Sequence, residues 1–300
     1  MGNIDNLPLV SCTVLCYNSA KTVIETLESI KAQTYRNIEL IVSDDCSKDN
    51  TVEICRDWIE KNKDRFVRVE LITSDHNTGV SCNGNRAFAV CQGEWQKEIA
   101  ADDILLPNCV DNFVGFVEKN PEALWVSSYV QVYNENFNEN NCIKHREIVS
   151  LEFFDSSVEV QLKMMAHKNY IYAPTLFINT SMKKKMGGYN PLYMAEDRPF
   201  YLKVLEHGYK CFFCPQETVG YRTHQSLSRS NVNLFNYSFS KNMRGFIKAK
   251  CFAYLTKKEI TGIKMRWAVE DLIQKVGLNR NNRTMKFIYS KVCNIISHIF

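Results

Sequence analysis

An alternation of short apolar runs with helical patterns, in which two of the runs stop at paired carboxylates, constrains this chain more than any other feature. Residues 10–15 (VSCTVL), bounded by Pro8 and by Tyr17-Asn18-Ser19, predict a buried strand ending in a turn. Residues 21–34 then carry Val23, Leu27, Ile30 and Ala32 on a helical period, with Ser19 placed as an N-cap. A second strand at 39–43 (ELIVS) stops at Asp44-Asp45, residues 51–62 (TVEICRDWIEKN) are amphipathic, and 67–73 alternate as a third strand. The order βαβαβ predicts a parallel sheet with right-handed crossovers, and such sheets bind ligands outside the carboxyl ends of their strands.

The pattern continues with a polar loop at 75–79 (DHNTG), a helix at 80–92 that carries Asn85 and Arg86, and a strand at 95–99. That strand runs almost directly into Asp102-Asp103. Adjacent carboxylates repel, and a divalent cation, ligand donors or water relieves the repulsion. Asp103 could also cap a turn starting at Ile104, with Pro107 in its first turn. Two acidic pairs at strand ends on one crevice weigh toward a site over a cap.

Further along, the spacing predicts a helix at 106–119, a strand at 124–133 and a polar loop at 134–141, followed by a stretch without clear pattern to Asn169. Residues 170–179 read as a strand, 182–186 as a short helix broken by Gly187-Gly188, and 195–207 as a helix that opens with Glu196-Asp197. On their own, two carboxylates in a first helical turn suit the helix dipole. Gly208 fits a C′ position, 209–214 a short strand, and 220–231 a polar loop whose one histidine, His224, alone reads as a surface or capping residue. The rest reads as helices with breaks at Thr261-Gly262 and Gly277.

At 45% hydrophobic and 12% aromatic residues over 300 positions, disorder is excluded. Twelve cysteines scattered through apolar stretches, with no basic start and long apolar run at the N-terminus, predict a reducing, cytoplasmic setting. The net charge of +4 hides an asymmetry, because residues 241–300 hold 13 Lys and Arg against 3 Asp and Glu, leaving the first 240 residues at −6. A solvated face is the plainest account of the basic end. Nucleic-acid binding lacks a motif and is opposed by the acidic crevice. Attachment to anionic lipid, at ~1 kcal/mol per Lys or Arg, is the third reading. Residues 285–300 are too short and polar to span a bilayer but suit an interfacial helix.

The runs VSCTVLCYNSAKTVIETLESIKAQTYRNIELIVSDDCSKDNT, NTGVSCNGNRAFAVCQGEW, AADDILLP and AEDRPFYLKVLEHGY, in that order over roughly residues 8–225, resemble the GT-A glycosyltransferases of family 2. The resemblance implies an α/β fold, a Rossmann-like αβα sandwich followed by a largely helical basic extension. It divides the chain into a transferase domain at 1–231, with a nucleotide half at about 8–120 and an acceptor half at about 121–231, and a helical region at 232–300. By the same resemblance, Asp45 would bond the base of a nucleotide-sugar, Leu15, Tyr17 and Asn18 would lie against the nucleotide, and Asn85 or a neighbour would approach it from its helix. Asp102 would contact the ribose, Asp103 would bind a Mg²⁺ or Mn²⁺ ion on the diphosphate, Asp197 would be the catalytic base, and His224 would stand near the metal.

Two positions depart from the family pattern. Ala100 replaces an Asp that often opens the acidic motif, and Gly84 replaces an Arg whose contact Arg86 could supply. The implied activity is inverting, metal-dependent transfer from a UDP-sugar to a lipid-linked saccharide in capsule or O-antigen assembly, in the cytoplasm or peripherally on its membrane. A degenerate, binding-only relative is the alternative, and the intact set Asp45, Asp102, Asp103 and Asp197 argues against it. A sugar-nucleotide pyrophosphorylase would need a glycine-rich phosphate loop near the N-terminus that is missing here.

Overall fold

In the computed structural model the described residues are 7–223 and 232–299. The chain runs β1 (Val10–Cys16), α1 (Val23–Lys31), β2 (Ile38–Asp44), α2 (Thr51–Asn62), β3 (Arg68–Thr73), α3 (Val80–Ala89), β4 (Trp95–Ala100), β5 (Ile104–Leu105) and α4 (Cys109–Lys119). It continues through β6 (Trp125–Tyr133), β7 (Cys142–Glu147), α5 (Leu151–Asp155), α6 (Val158–His167), β8 (Phe177–Asn179), α7 (Thr180–Lys185), α8 (Asp197–Glu206) and β9 (Phe212–Arg222). Three more α-helices follow: α9 (Tyr237–Phe246), α10 (Lys257–Lys275) and α11 (Arg283–Ile299).

One sheet runs in the order β3-β2-β1-β4-β8-β6-β9-β5, with β7 added to β6. Strands β1 to β4 pair in parallel, as the βαβαβ order requires. The short β8 then runs antiparallel between β4 and β6, and β9 pairs in parallel with β6. Both faces of β1 are buried, Val10, Cys12 and Val14 on one and Ser11 and Thr13 on the other, which is why it reads as a continuous run instead of an alternating one.

Two apolar cores result. The first lies among β1, β2, α1, α2 and α4, and Phe177 enters it stacked between Trp95 and Phe113, each with its ring centre 5.0 Å away. The second gathers Trp125, Phe153, Met165 and Phe200, and α9 adds Met243 and Phe246. Cys211 and Cys214 have a C-x-x-C spacing, but on an extended segment positions three apart face opposite ways, and the two thiols end in different cores. All twelve cysteines are free thiols.

Several expectations change. Ser19 does not cap α1 through its side chain; the N-cap position is Thr22, and Ser19 contributes only its carbonyl, which accepts from the Thr22 and Val23 N–H groups. Asp103 caps no helix either: Ile104 and Leu105 pair with β9, and α4 starts only at Cys109. Residues 142–167 are ordered as β7, α5 and α6; β7 is an exposed edge strand without the alternation that would reveal it. Within 170–179 a 3₁₀ turn at Ala173–Thr175 leaves only Phe177–Asn179 as strand. The expected strand at 209–214 instead runs on to Arg222, held between β6 and β5. Thr261-Gly262 lies inside α10, because a capping box between Thr256 and Glu259 starts that helix and Gly262 sits on its buried side. Gly277 does end it, at φ +71°.

A fully buried carboxylate ties the parallel layer together. Glu39 of β2 accepts from the Ser11 hydroxyl and from the N–H groups of Gln92 and Gly93, at 2.6 and 2.9 Å, and pairs with Arg68 of β3 at 2.8 Å. Replacing one oxygen by an amide nitrogen turns a donor toward these donors. Glu39→Gln should lower stability by about 3 kcal/mol, at the low end for a broken buried pair because Arg68 is partly exposed; urea unfolding of the two proteins checks it.

Candidate active site

A cavity of about 550 Å³ opens at the carboxyl ends of β1, β2 and β4. Leu15, Tyr17 and Ser19 from the β1 turn line it, with Asp45, Asn77, Gly79 and Asn83. Asp45 is buried, and burial by itself would raise its pKa. The Thr78 hydroxyl and N–H, Arg86 at 2.9 Å and the Gly79 N–H at 2.7 Å outweigh this and hold the carboxyl below the usual range. Asp45 therefore shapes the Asn77–Gly79 loop as well as facing the cavity.

Asn18 and Asn85 are not brought to the cavity wall. Asn18, at φ +52°, accepts from the Lys48 N–H at 2.8 Å and donates its own N–H to Ser47, tethering the β2–α2 loop. The Asn85 amide grips the N–H and carbonyl of Tyr189, both at 2.8 Å. Asn83, two residues earlier, faces the cavity instead, locked to Ser43 and to the Cys16 carbonyl. Packing explains Gly84: a Cβ there would lie 2.8 Å from the Tyr189 ring, leaving no room for an arginine. Arg86 spends its charge on Asp45 and also reaches Asn83 and the Thr78 hydroxyl.

The β4–β5 turn sets Asp102 and Asp103 into the cavity. Asp103 is almost wholly buried, and burial together with the Asp102 charge pushes its carboxyl well up, while the Arg222 N–H, the Arg222 charge and the buried Lys97 act in the opposite direction. Arg222 is the clasp of this corner. Its N–H reaches Asp103 Oδ1 at 2.9 Å, its Nε the Asp102 carbonyl at 2.9 Å, and its guanidinium pairs with Glu25 of α1 and lies over Phe137.

Across the cavity, α8 begins with Glu196 and Asp197. Asn169 donates to Asp197 Oδ2 at 2.6 Å and the Arg198 N–H to Oδ1 at 2.6 Å. Arg198 itself binds the Met165 and Ala166 carbonyls at the end of α6, which fixes the helix start. Burial raises both carboxyls; Glu196, flanked by Asp197 and Glu98, is pushed up to about 8. Asp197 keeps two donors, so it holds the charge more readily than Glu196.

Sequence reasoning missed several wall residues. Glu98 lines the cavity and is held by the Tyr189 hydroxyl at 2.8 Å, by Gln96, and by the buried Lys183 at 3.6 Å. Strand alternation in β4, with Trp95, Lys97 and Ile99 on one face, would have put Glu98 beside Ala100 on the cavity face. Phe239 of α9 also lines it, and Asn242 clamps the preceding loop through Met194 N–H and the Leu192 carbonyl. No local signal in the helix pattern marks Phe239.

His224 lies outside the described residues. Among the described residues no group of three or more His, Cys, Asp or Glu is arranged around a metal position. The donor chemistry nevertheless fits a hard cation: two adjacent carboxylates, one pushed up by burial and by its neighbour's charge, suit an ion that takes one or two protein carboxylates and completes its shell with phosphate and water oxygens.

Comparison with known proteins agrees with this architecture. A family model described as glycosyl transferase family 2 matches residues 11–222. An uncharacterized glycosyltransferase of Haemophilus influenzae is 25% identical over 95% of this chain and 85% of its own. The Escherichia coli UDP-Glc:alpha-D-GlcNAc-diphosphoundecaprenol beta-1,3-glucosyltransferase WfaP is 23% identical over 98% of this chain and 97% of its own. Among solved structures, S. aureus TarS 1-349 in complex with UDP-GlcNAc superposes with a TM-score of 0.60 at 19% identity, covering 81% of this chain and 66% of that one. Against a longer TarS chain this protein spans 39% of the length, with a TM-score of 0.57. With the model covering most of the chain and every strand of the sheet's parallel half, the protein is a glycosyltransferase and belongs to glycosyl transferase family 2.

Proposed function

We propose that the enzyme moves a sugar from a UDP-sugar to a hydroxyl of a saccharide carried on a lipid diphosphate, with inversion, at the cytoplasmic face of a membrane in bacterial polysaccharide assembly. The observation that carries this reading is a single cavity lined by Leu15, Tyr17, Asp45 and Asn83, by Asp102 and Asp103 of the β4–β5 turn, and by Asp197. The solved relative with UDP-GlcNAc supports the choice of uridine, and WfaP supports a lipid diphosphate acceptor.

In this reading the β1 turn and the Asp45-anchored loop receive the nucleoside, and Asp102 takes a ribose hydroxyl. Asp103 would hold a Mg²⁺ or Mn²⁺ ion, whose charge, when bound, stabilises the leaving diphosphate. Asp197 accepts the proton of the attacking hydroxyl, with Asn169 and the Arg198 N–H stabilising its charge against the burial that raises it. Glu196, protonated near neutrality, spares it a second adjacent charge. One base and one displacement give inversion.

Calorimetric titration of UDP, with GDP as control and with or without Mn²⁺, tests the donor side. Wild type should bind UDP in a metal-dependent way, and Asp103→Ala should weaken that binding by more than about tenfold, the equivalent of 1.4 kcal/mol; binding of neither nucleotide would overturn the reading.

Asp197→Asn should lower kcat by about 10²- to 10⁴-fold while leaving UDP affinity near that of wild type. NMR of the product should show the anomeric configuration opposite to the donor's.

The raised Glu196 pKa also predicts a pH effect on stability. The folded state holds that proton up to about 8, whereas the unfolded chain releases it near 4.5, so this contribution is complete below the unfolded value and declines as pH rises through that window. Thermal unfolding of Glu196→Gln across the same window should show a smaller decline than wild type.

A further inference from the structure

We infer that α10 and α11 form a docking face for an anionic lipid bilayer, with an apolar row on each helix entering the interface and the lysines beside it meeting the headgroups. This deepens the reading above by naming the surface that brings the enzyme to its acceptor, and its test reads lipid binding, apart from nucleotide binding.

The two helices pack antiparallel, with Arg266 near Ser297 and Glu270 bonded to Tyr289. Toward the rest of the protein α11 turns Tyr289, Val292, Cys293 and the buried Ile296. Ile288, Ile295 and Ile299, spaced seven and four residues apart, are left about half exposed at 46, 57 and 53%, with Phe287 at 63%. On α10 and its C-cap, Met265, Leu272 and Val276 repeat at the same intervals and are also exposed. Helical positions at those spacings share a face, so each helix carries a second apolar row beyond the one it buries.

Charge selects the occupant. The three acidic residues of this region are engaged within the protein: Glu259 caps α10 and meets His167, while Glu270 and Asp271 both pair with Arg244. Arg283, Lys286 and Lys291 on α11 and Lys264 and Lys275 on α10 stay exposed. Lys291 lies within one turn of Ile288 and Ile295, and its ammonium sits over Phe287 at 5.6 Å. Apolar side chains interleaved with lysine are the pattern of a helix lying in a headgroup layer. A second copy of the chain would bring like charges together, and a nucleic acid would leave the isoleucines in water. Among the described residues no helix is long and apolar enough to cross a membrane, so the contact lies on the surface.

Flotation of the full chain with phosphatidylcholine vesicles, with and without phosphatidylglycerol, tests this at low and raised salt. Wild type should float with the anionic vesicles only, and less so as salt rises. Lys286→Glu with Lys291→Glu should cut binding by at least fivefold per lysine, roughly the worth of one such contact, and Ile288→Ser with Ile295→Ser by on the order of tenfold. UDP affinity of both variants, unchanged, certifies the fold. No flotation with anionic vesicles, equal flotation with neutral ones, or variants that float like wild type would overturn the proposal. So would a dimer in sedimentation equilibrium that the isoleucine variant dissolves, since the face would then belong to a second copy.

Discussion

Mutual repulsion among carboxylates is the constraint around which the cavity is built. Glu98, Asp102, Asp103, Glu196 and Asp197 all face one space of about 550 Å³, with Asp45 on its wall. Two unit charges 4 Å apart in a partly screened protein site repel by about 4 kcal/mol, so the protein must either neutralise these groups or supply donors. It does both, unevenly. Asp45 receives an arginine, a hydroxyl and two N–H groups and is held ionised; Glu98 has a tyrosine, a glutamine and a buried lysine; Glu196 keeps its proton. Asp103 is pushed up by its burial and by the Asp102 charge even though the Arg222 N–H, the Arg222 charge and the buried Lys97 oppose this.

Arg222 links that electrostatic arrangement to the fold. It stands at the end of β9, which β8 and β6 separate from β4 in the sheet, yet reaches the β4–β5 turn with its N–H and Nε and α1 with its guanidinium. The two-residue β5 pairs with β9 just before it, so backbone and side chain draw the halves of the sheet together at the acidic turn. Glu39 plays the corresponding role at the other end of the strands, where it joins β1, β2, β3 and the turn into β4. The carboxyl ends remain open while the amino ends are sealed.

Much of the parallel half of the sheet is legible in the sequence because its signals are local. Buried parallel strands read as apolar runs, and α2 runs over residues 51–62 as its amphipathic period predicts. What is not legible depends on distant partners. The edge strand β7 has no buried face, β8 is three residues long and is strand only because β4 and β6 flank it, and Gly262 is kept helical by packing. At the site, the acidic pairs stand out in the sequence, whereas nothing local distinguishes Asn85, which holds a backbone, from Asn83, which faces the cavity. The family pattern carries Asp197 to the cavity wall, but the donors that hold it, Asn169 and the Arg198 N–H, come from a segment whose own structure the sequence leaves unmarked or from a backbone group.

The clamp between α9 and the loop before Glu196 has a consequence for how such a chain can diversify. Phe239 walls the cavity, Asn242 grips Leu192 and Met194, and Met243 and Phe246 belong to the second core. The helical tail therefore cannot be exchanged between relatives as an independent cassette. A recombination joint that kept the sheet and replaced everything after it would hand the loop that leads into Glu196 and Asp197 a new neighbour, and the shape of the cavity would change along with the tail.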